Sequence, residues 1–113
     1  NPVMVGHSGI IPASIKACEA IDVQLGMLRD AILKQDGIMI ISADHGNIED
    51  MIDEAGNPNT AHTTNPVPFI LIGNDVKNIS LKNGRLCDIA PTILDLMNIK
   101  QPSQMTGSNL INQ

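Results

Sequence analysis

Apolar residues recur at steps of three and four along one stretch of the chain: Ile15, Cys18, Ile21, Leu25, Leu28 and Ile32. That spacing lays a stripe along one face and predicts a helix over 12–34. Pro12 suits its first turn, where a missing N–H costs nothing. Lys16, Glu19, Asp22, Arg29 and Asp30 fall off the stripe, on the side left to water. Gly37 stops the helix, and Ile38-Met39-Ile40-Ile41 follows at once. A short, continuously apolar, β-branched run reads as a strand buried on both faces. Ahead of the helix, residues 1–9 carry Pro2, Gly6 and Gly9 as breakers and read as a loop.

Between Ala43 and Pro66 no comparable apolar run occurs. A short helix over 48–54 is expected there, capped by Asn47 and ended by Gly56-Asn57-Pro58. Loops of this length in compact domains usually carry function. Val67 to Ile72 reads as a second strand and Ile79 to Leu81 as a weaker third. Asp88 to Met97 reads as a second helix, with Asp88 as cap, Pro91 in the first turn, and Ile89, Ile93, Leu96 and Met97 facing inward. The residues after Asn98 are mostly polar and read as a surface tail. The order is helix, buried strand, long loop, strand, helix: an α/β layered piece. Its sheet is thin, which points to an incomplete share of a larger one.

Composition narrows the function. The chain has 113 residues, one domain or part of one. Hydrophobic residues at 42% and charged residues at 17% exclude a disordered chain. No apolar run approaches the ~20 residues of a membrane span. A net charge of −5, with Phe69 the only aromatic ring of the Phe, Tyr and Trp type, argues against nucleic acid. Such binding needs cations on phosphates and rings for the bases. Cys18 and Cys87 form no CxxC motif and are expected to be buried, reduced thiols. With no signal peptide in view, that suggests a cytoplasmic setting. Asn78-Ile79-Ser80 matches a glycosylation sequon by chance on that reading. The six methionines read as core filler, and Glu49, Asp50, Asp53 and Glu54 as a solvated helix face.

The three histidines all fall in expected loops. Asp44 and His45 directly follow the first strand, where ligands gather in open α/β sheets. A carboxylate beside an imidazole suits first-row divalent metals. His7 lies between glycines in Gly6-His7-Ser8-Gly9, and His62 among hydroxyl residues in Thr60-Ala61-His62-Thr63-Thr64. Neutral imidazole is the commonest metal ligand. From spacing alone, Asp44 serves equally well as a cap and the histidines as solvated loop residues.

Longer motifs carry a resemblance that spacing does not supply. Met4-Val5-Gly6-His7-Ser8-Gly9, Ala43-Asp44-His45-Gly46-Asn47, the run from Thr60 to Phe69, and Asp88-Ile89-Ala90-Pro91-Thr92 resemble the cofactor-independent phosphoglycerate mutases of the alkaline phosphatase superfamily. They stand in that family's order, and they match its C-terminal part. The resemblance implies a partial alkaline-phosphatase-like α/β/α sandwich, with residues 1–113 as the C-terminal part of its metal-binding domain. It implies interconversion of 3-phosphoglycerate and 2-phosphoglycerate through a phosphoserine, with two divalent cations, usually Mn²⁺. Asp44 and His45 match ligands of one ion, and His7 and His62 match ligands of the other.

Two departures stand against it. The family's Asp four residues before the first His is Val3 here, so one ion keeps only two of these ligands. The nucleophilic serine, its Asp neighbour and the substrate-binding domain are not among these residues, so no catalytic residue is assigned and the isolated chain is expected to be inactive. An N-terminal part or self-association would complete the sheet. Two other readings remain open: a non-catalytic remnant or interaction module, and another metal-dependent phosphatase or phosphomutase of the superfamily.

Overall fold

The computed structural model describes residues 2–112. They form helix α1 (Pro2–Gly6), helix α2 (Ile11–Leu33), strand β1 (Met39–Ser42), strand β2 (Phe69–Ile72), a 3₁₀ turn (Leu86–Asp88) and helix α3 (Ile89–Leu96). The chain divides into two compact units, Asn1–Val76 and Lys77–Gln113.

In the first unit, the expected loop before residue 10 is a helical turn instead, and it packs against α2. Asn1 lies outside the described residues. Pro2 opens α1 rather than breaking a loop, since a first-turn proline needs no N–H partner. Helix α2 lies within a residue of its expected bounds and carries Pro12 in its first turn. Its stop comes from Asp36, in the left-handed region at φ 51°, with the Gly37 N–H returning to Ile32 O.

Strands β1 and β2 pair antiparallel, Met39 opposite Ile72 and Ser42 opposite Phe69. Only Met39 of β1 is buried, so the strand is not covered on both faces by the described residues. The α2 stripe is likewise open: Ile15 is 54% exposed and Leu28 53%, and Cys18 is exposed rather than buried. The residue of α2 that is buried is Ser14, off the predicted stripe, so among the described residues the stripe is not the packed face. The core of this unit is small, built on Met39, Met51 and Val76. Met4 and Met27 are exposed and are not core filler.

No helix forms over 48–54. Asn47 sends its amide to Ala61 O at 3.0 Å instead of capping a helix. Ile52 bridges to Pro58, and Asp53 holds the turn between them by accepting the N–H groups of Ala55 and Asn57. The backbone donors of this stretch thus find side-chain and cross-loop partners in place of helical ones.

The second unit is held by its final residues, which are not a surface tail. Leu110 is buried, and Leu81 bridges to Ile111 where a third strand was expected. Asp88 does not cap α3 with its side chain. Its carboxylate accepts the N–H of Ser108 and that of Arg85, each at 2.7 Å, which holds its pKa below the usual carboxylate range. Thr92 is fully buried. Its hydroxyl donates to Asp88 O and accepts the Leu110 N–H. The inner face of α3 is therefore Pro91 and Thr92, whereas Ile93 and Met97 are exposed. Cys87 is exposed as well.

Candidate metal centre

The antiparallel register decides where the histidines go. His45 follows the C-terminal end of β1, and His62 precedes the N-terminal end of β2. Pairing Ser42 with Phe69 puts both loops at one end of the ribbon. A bridge between Gly46 and Thr63, each one residue past its histidine, extends the pairing into the loops. The His45 and His62 rings stack there, with centroids 3.6 Å apart and planes 18° from parallel. His7, in the turn after α1, reaches the same place: its ring centroid is 5.0 Å from that of His62.

The hydrogen bonds fix tautomers. A carbonyl oxygen only accepts, so His7 Nδ1, 2.7 Å from Thr60 O, carries the hydrogen. Its Nε2 then offers a lone pair, which receives the Nε2–H of His62 at 3.2 Å. His45 Nδ1 donates to Gly46 O at 3.1 Å, and its Nε2 lies 3.5 Å from an Asp44 carboxylate oxygen. Asp44 is well exposed, with both oxygens open to further partners.

The four residues singled out from the sequence thus come together as two pairs, His7 with His62 and Asp44 with His45. Among the described residues, no group of three or more His, Cys, Asp or Glu side chains is arranged to hold a metal ion. The donor chemistry nevertheless fits divalent cations. An imidazole whose Nδ1–H is held by a carbonyl presents its Nε2 as a metal ligand does, and one of the two pairs includes a carboxylate. A cavity of about 510 Å³ in this unit, lined by Ile11, Ser14, Ile15, Cys18, Glu49 and Met51 among others, includes none of the four.

Two residues beneath the pairs were not legible from spacing. Asn47 is buried, bound to Ala61 O, with its other amide atom against Gly6; a methyl group on Gly6 would collide with it. Asn47 therefore touches the segments that precede His7 and His62 and belongs to the one that follows His45. Glu49, expected on a solvated helix face, instead accepts the Asn47 N–H at 2.6 Å, the Thr63 hydroxyl, and the Asn65 amide at 3.1 Å. The Thr63 hydroxyl is the main reason its pKa falls to about 2. A carboxylate two residues beyond an Asn and facing hydroxyls across a loop was the available signal, but its partners are 14 and 16 residues away.

A family model described as the metalloenzyme superfamily matches residues 1–101. The 2,3-bisphosphoglycerate-independent phosphoglycerate mutase of Paracoccus denitrificans is 54% identical over all of this chain, and that of Clostridium beijerinckii 51% identical over 98% of it. The chain spans about 22% of the length of each relative. Among solved structures, a crystal structure of Leishmania mexicana phosphoglycerate mutase at low cobalt concentration matches 99% of this chain with a TM-score of 0.85 and 32% identity, over 23% of its own length. The fold is accordingly a share of the alkaline-phosphatase-like α/β architecture of those enzymes.

Proposed function

The chain belongs to the metalloenzyme superfamily, and within it we propose that these residues form the C-terminal metal-binding part of a 2,3-bisphosphoglycerate-independent phosphoglycerate mutase. The substrate on this reading is 3-phosphoglycerate, isomerised to 2-phosphoglycerate in the cytoplasm. No described helix is long and apolar enough to cross a membrane. The observation that carries the proposal is the meeting of two donor pairs, His7 with His62 and Asp44 with His45, at one end of the β1–β2 ribbon.

Each pair would hold one divalent cation, Mn²⁺ by preference. When bound, such ions neutralise charge on a transferring phosphoryl group and activate an oxygen nucleophile. The residues of this chain bind and orient. Thr60 O fixes the His7 tautomer, and Gly46 O fixes that of His45. The Asp44 carboxylate supplies the formal negative charge of its pair. The other pair has only neutral rings, and Val3 supplies no ligand, so the two sites are unequal: the Asp44/His45 side binds first and the His7/His62 side weakly.

The nucleophile and the remaining ligands would come from residues beyond these 113. The open stripe of α2 and the two-stranded ribbon support a larger sheet built with them. By themselves the 113 residues would leave 3-phosphoglycerate unconverted.

Mn²⁺ titration by calorimetry on the full protein carrying these residues tests the reading, together with 3-phosphoglycerate turnover coupled to enolase. His45→Ala is expected to abolish binding at the tighter site and to abolish turnover. Unchanged Mn²⁺ affinity in folded His45→Ala would sink the proposal.

A further inference from the structure

We propose that Glu49 is a positioning residue for the metal centre: its carboxylate clamps the loop carrying His45 to the loop carrying His62. The inference rests on the metal-binding reading above and extends it to a residue that is not itself a ligand.

The clamp joins the two loops two residues past His45 and one and three residues past His62. Glu49 Oε2 accepts the Asn47 N–H at 2.6 Å, on the His45 side. Glu49 Oε1 accepts the Thr63 hydroxyl and, at 3.1 Å, the Asn65 amide, both on the His62 side. The same two loops exchange backbone bonds: Gly46 N–H to Thr63 O at 3.3 Å and Thr63 N–H to Gly46 O at 2.9 Å. The Asn47 amide adds a third link between the loops, to Ala61 O at 3.0 Å. A carboxylate taking three donors beside them fixes their register, and with it the stacking of His45 on His62.

The local sequence makes room for this. A Cβ on Gly46 would collide with both Thr63 Oγ1 and a Glu49 carboxylate oxygen, so only glycine lets the carboxylate lie against the bridge. Three donors converge on a group that only accepts, which is the role of an ionised carboxylate and not of an amide. The lowered pKa keeps Glu49 ionised through the neutral range. Its oxygens already take three donors from the protein, which separates its role from that of Asp44.

The test uses the full protein carrying these residues, with two readouts besides turnover: Mn²⁺ affinity by calorimetry, and the visible absorption of bound Co²⁺, which reports ligand geometry. Glu49→Ala is expected to weaken Mn²⁺ binding by about 10- to 100-fold, the usual effect of losing a residue that orients a ligand, and to change the Co²⁺ spectrum. Glu49→Gln, which keeps one acceptor oxygen, should restore part of the loss. Thr63→Val removes one donor with little change in volume and should weaken binding in the same direction, which keeps the test decisive if Glu49→Ala does not fold. Wild-type affinity and spectrum in Thr63→Val, or in folded Glu49→Ala, would overturn the clamp. His45→Ala separates the two ideas. If it loses metal while the Glu49 and Thr63 variants keep it, only the clamp falls. If it keeps wild-type binding, the metal reading falls and the clamp with it.

Discussion

His7 Nε2 and His62 Nε2 lie 3.2 Å apart, joined by a single hydrogen although 55 residues separate them in the chain. Thr60 O holds the hydrogen of His7 on Nδ1, so the shared hydrogen comes from His62. A cation entering between these rings has to displace it, and His62 has to move its hydrogen to Nδ1. Two neutral rings give little in return.

A carboxylate placed beside the pair should change that balance. The His7 N–H bonds to Val3 O, which puts Val3 one helical turn before His7 on the same side. Val3→Asp is expected to raise Mn²⁺ affinity at this pair by about tenfold, ~1.4 kcal/mol. Calorimetry on the variant reads this directly, and an unchanged isotherm would show that residue 3 does not face the site.

Gly6→Ala should destabilise the first unit. The new methyl group would strike the Asn47 amide, which is buried and tied to Ala61 O. Overpacking of this kind costs roughly 1–3 kcal/mol. A lower urea midpoint with an unchanged slope is the expected signature, and a wild-type midpoint would mean that Asn47 moves aside freely.

The Glu49 clamp has a defined acid limit. Its folded-state pKa is about 2, against an ordinary value of 4.5. A depressed carboxylate pKa stabilises the fold above the unfolded value and loses that contribution as pH falls through the folded one. The loop contacts should therefore hold above pH 4.5 and weaken progressively toward pH 2. Amide exchange at Asn47 and Thr63 followed against pH measures this; in Glu49→Gln the dependence over that window should flatten.

In the second unit, Thr92→Val is expected to cost about 1–3 kcal/mol, because it leaves the buried Leu110 N–H without an acceptor. Thr92→Ser keeps the hydroxyl and should melt closer to wild type. Thermal unfolding of the two variants side by side distinguishes loss of the bond from loss of the methyl group.

Local signals in the sequence survived where the chain itself satisfies them. The α2 stripe, the Ile38 to Ile41 run and the Val67 to Ile72 run became elements close to their expected bounds, since helix period and β-branching act over a few residues. Burial did not follow, because it depends on surfaces the pattern does not contain: Ile15 and Cys18 are open although they lie on the predicted inner face. The 48–54 stretch failed as a helix because Asn47 and Glu49 found partners across the loop, and propensity yields to such bonds. His7, Asp44, His45 and His62 were singled out from the motifs, and strand pairing explains why three of them lie at one end of the ribbon. Asn47 and Glu49 were not, since a residue that orients others looks in sequence like any polar loop residue.

The contact between Gly6 and Asn47 has an evolutionary meaning. Neither position can drift alone: a side chain at residue 6 is excluded while Asn47 fills the space, and trimming Asn47 abandons its bond to Ala61 O. The cost of changing either residue should therefore depend on the other. Gly6→Ala should be better tolerated in an Asn47→Ser background than alone, even though Asn47→Ser is itself harmful. A lineage could change this corner of the fold only by crossing a less stable intermediate or by replacing both residues together.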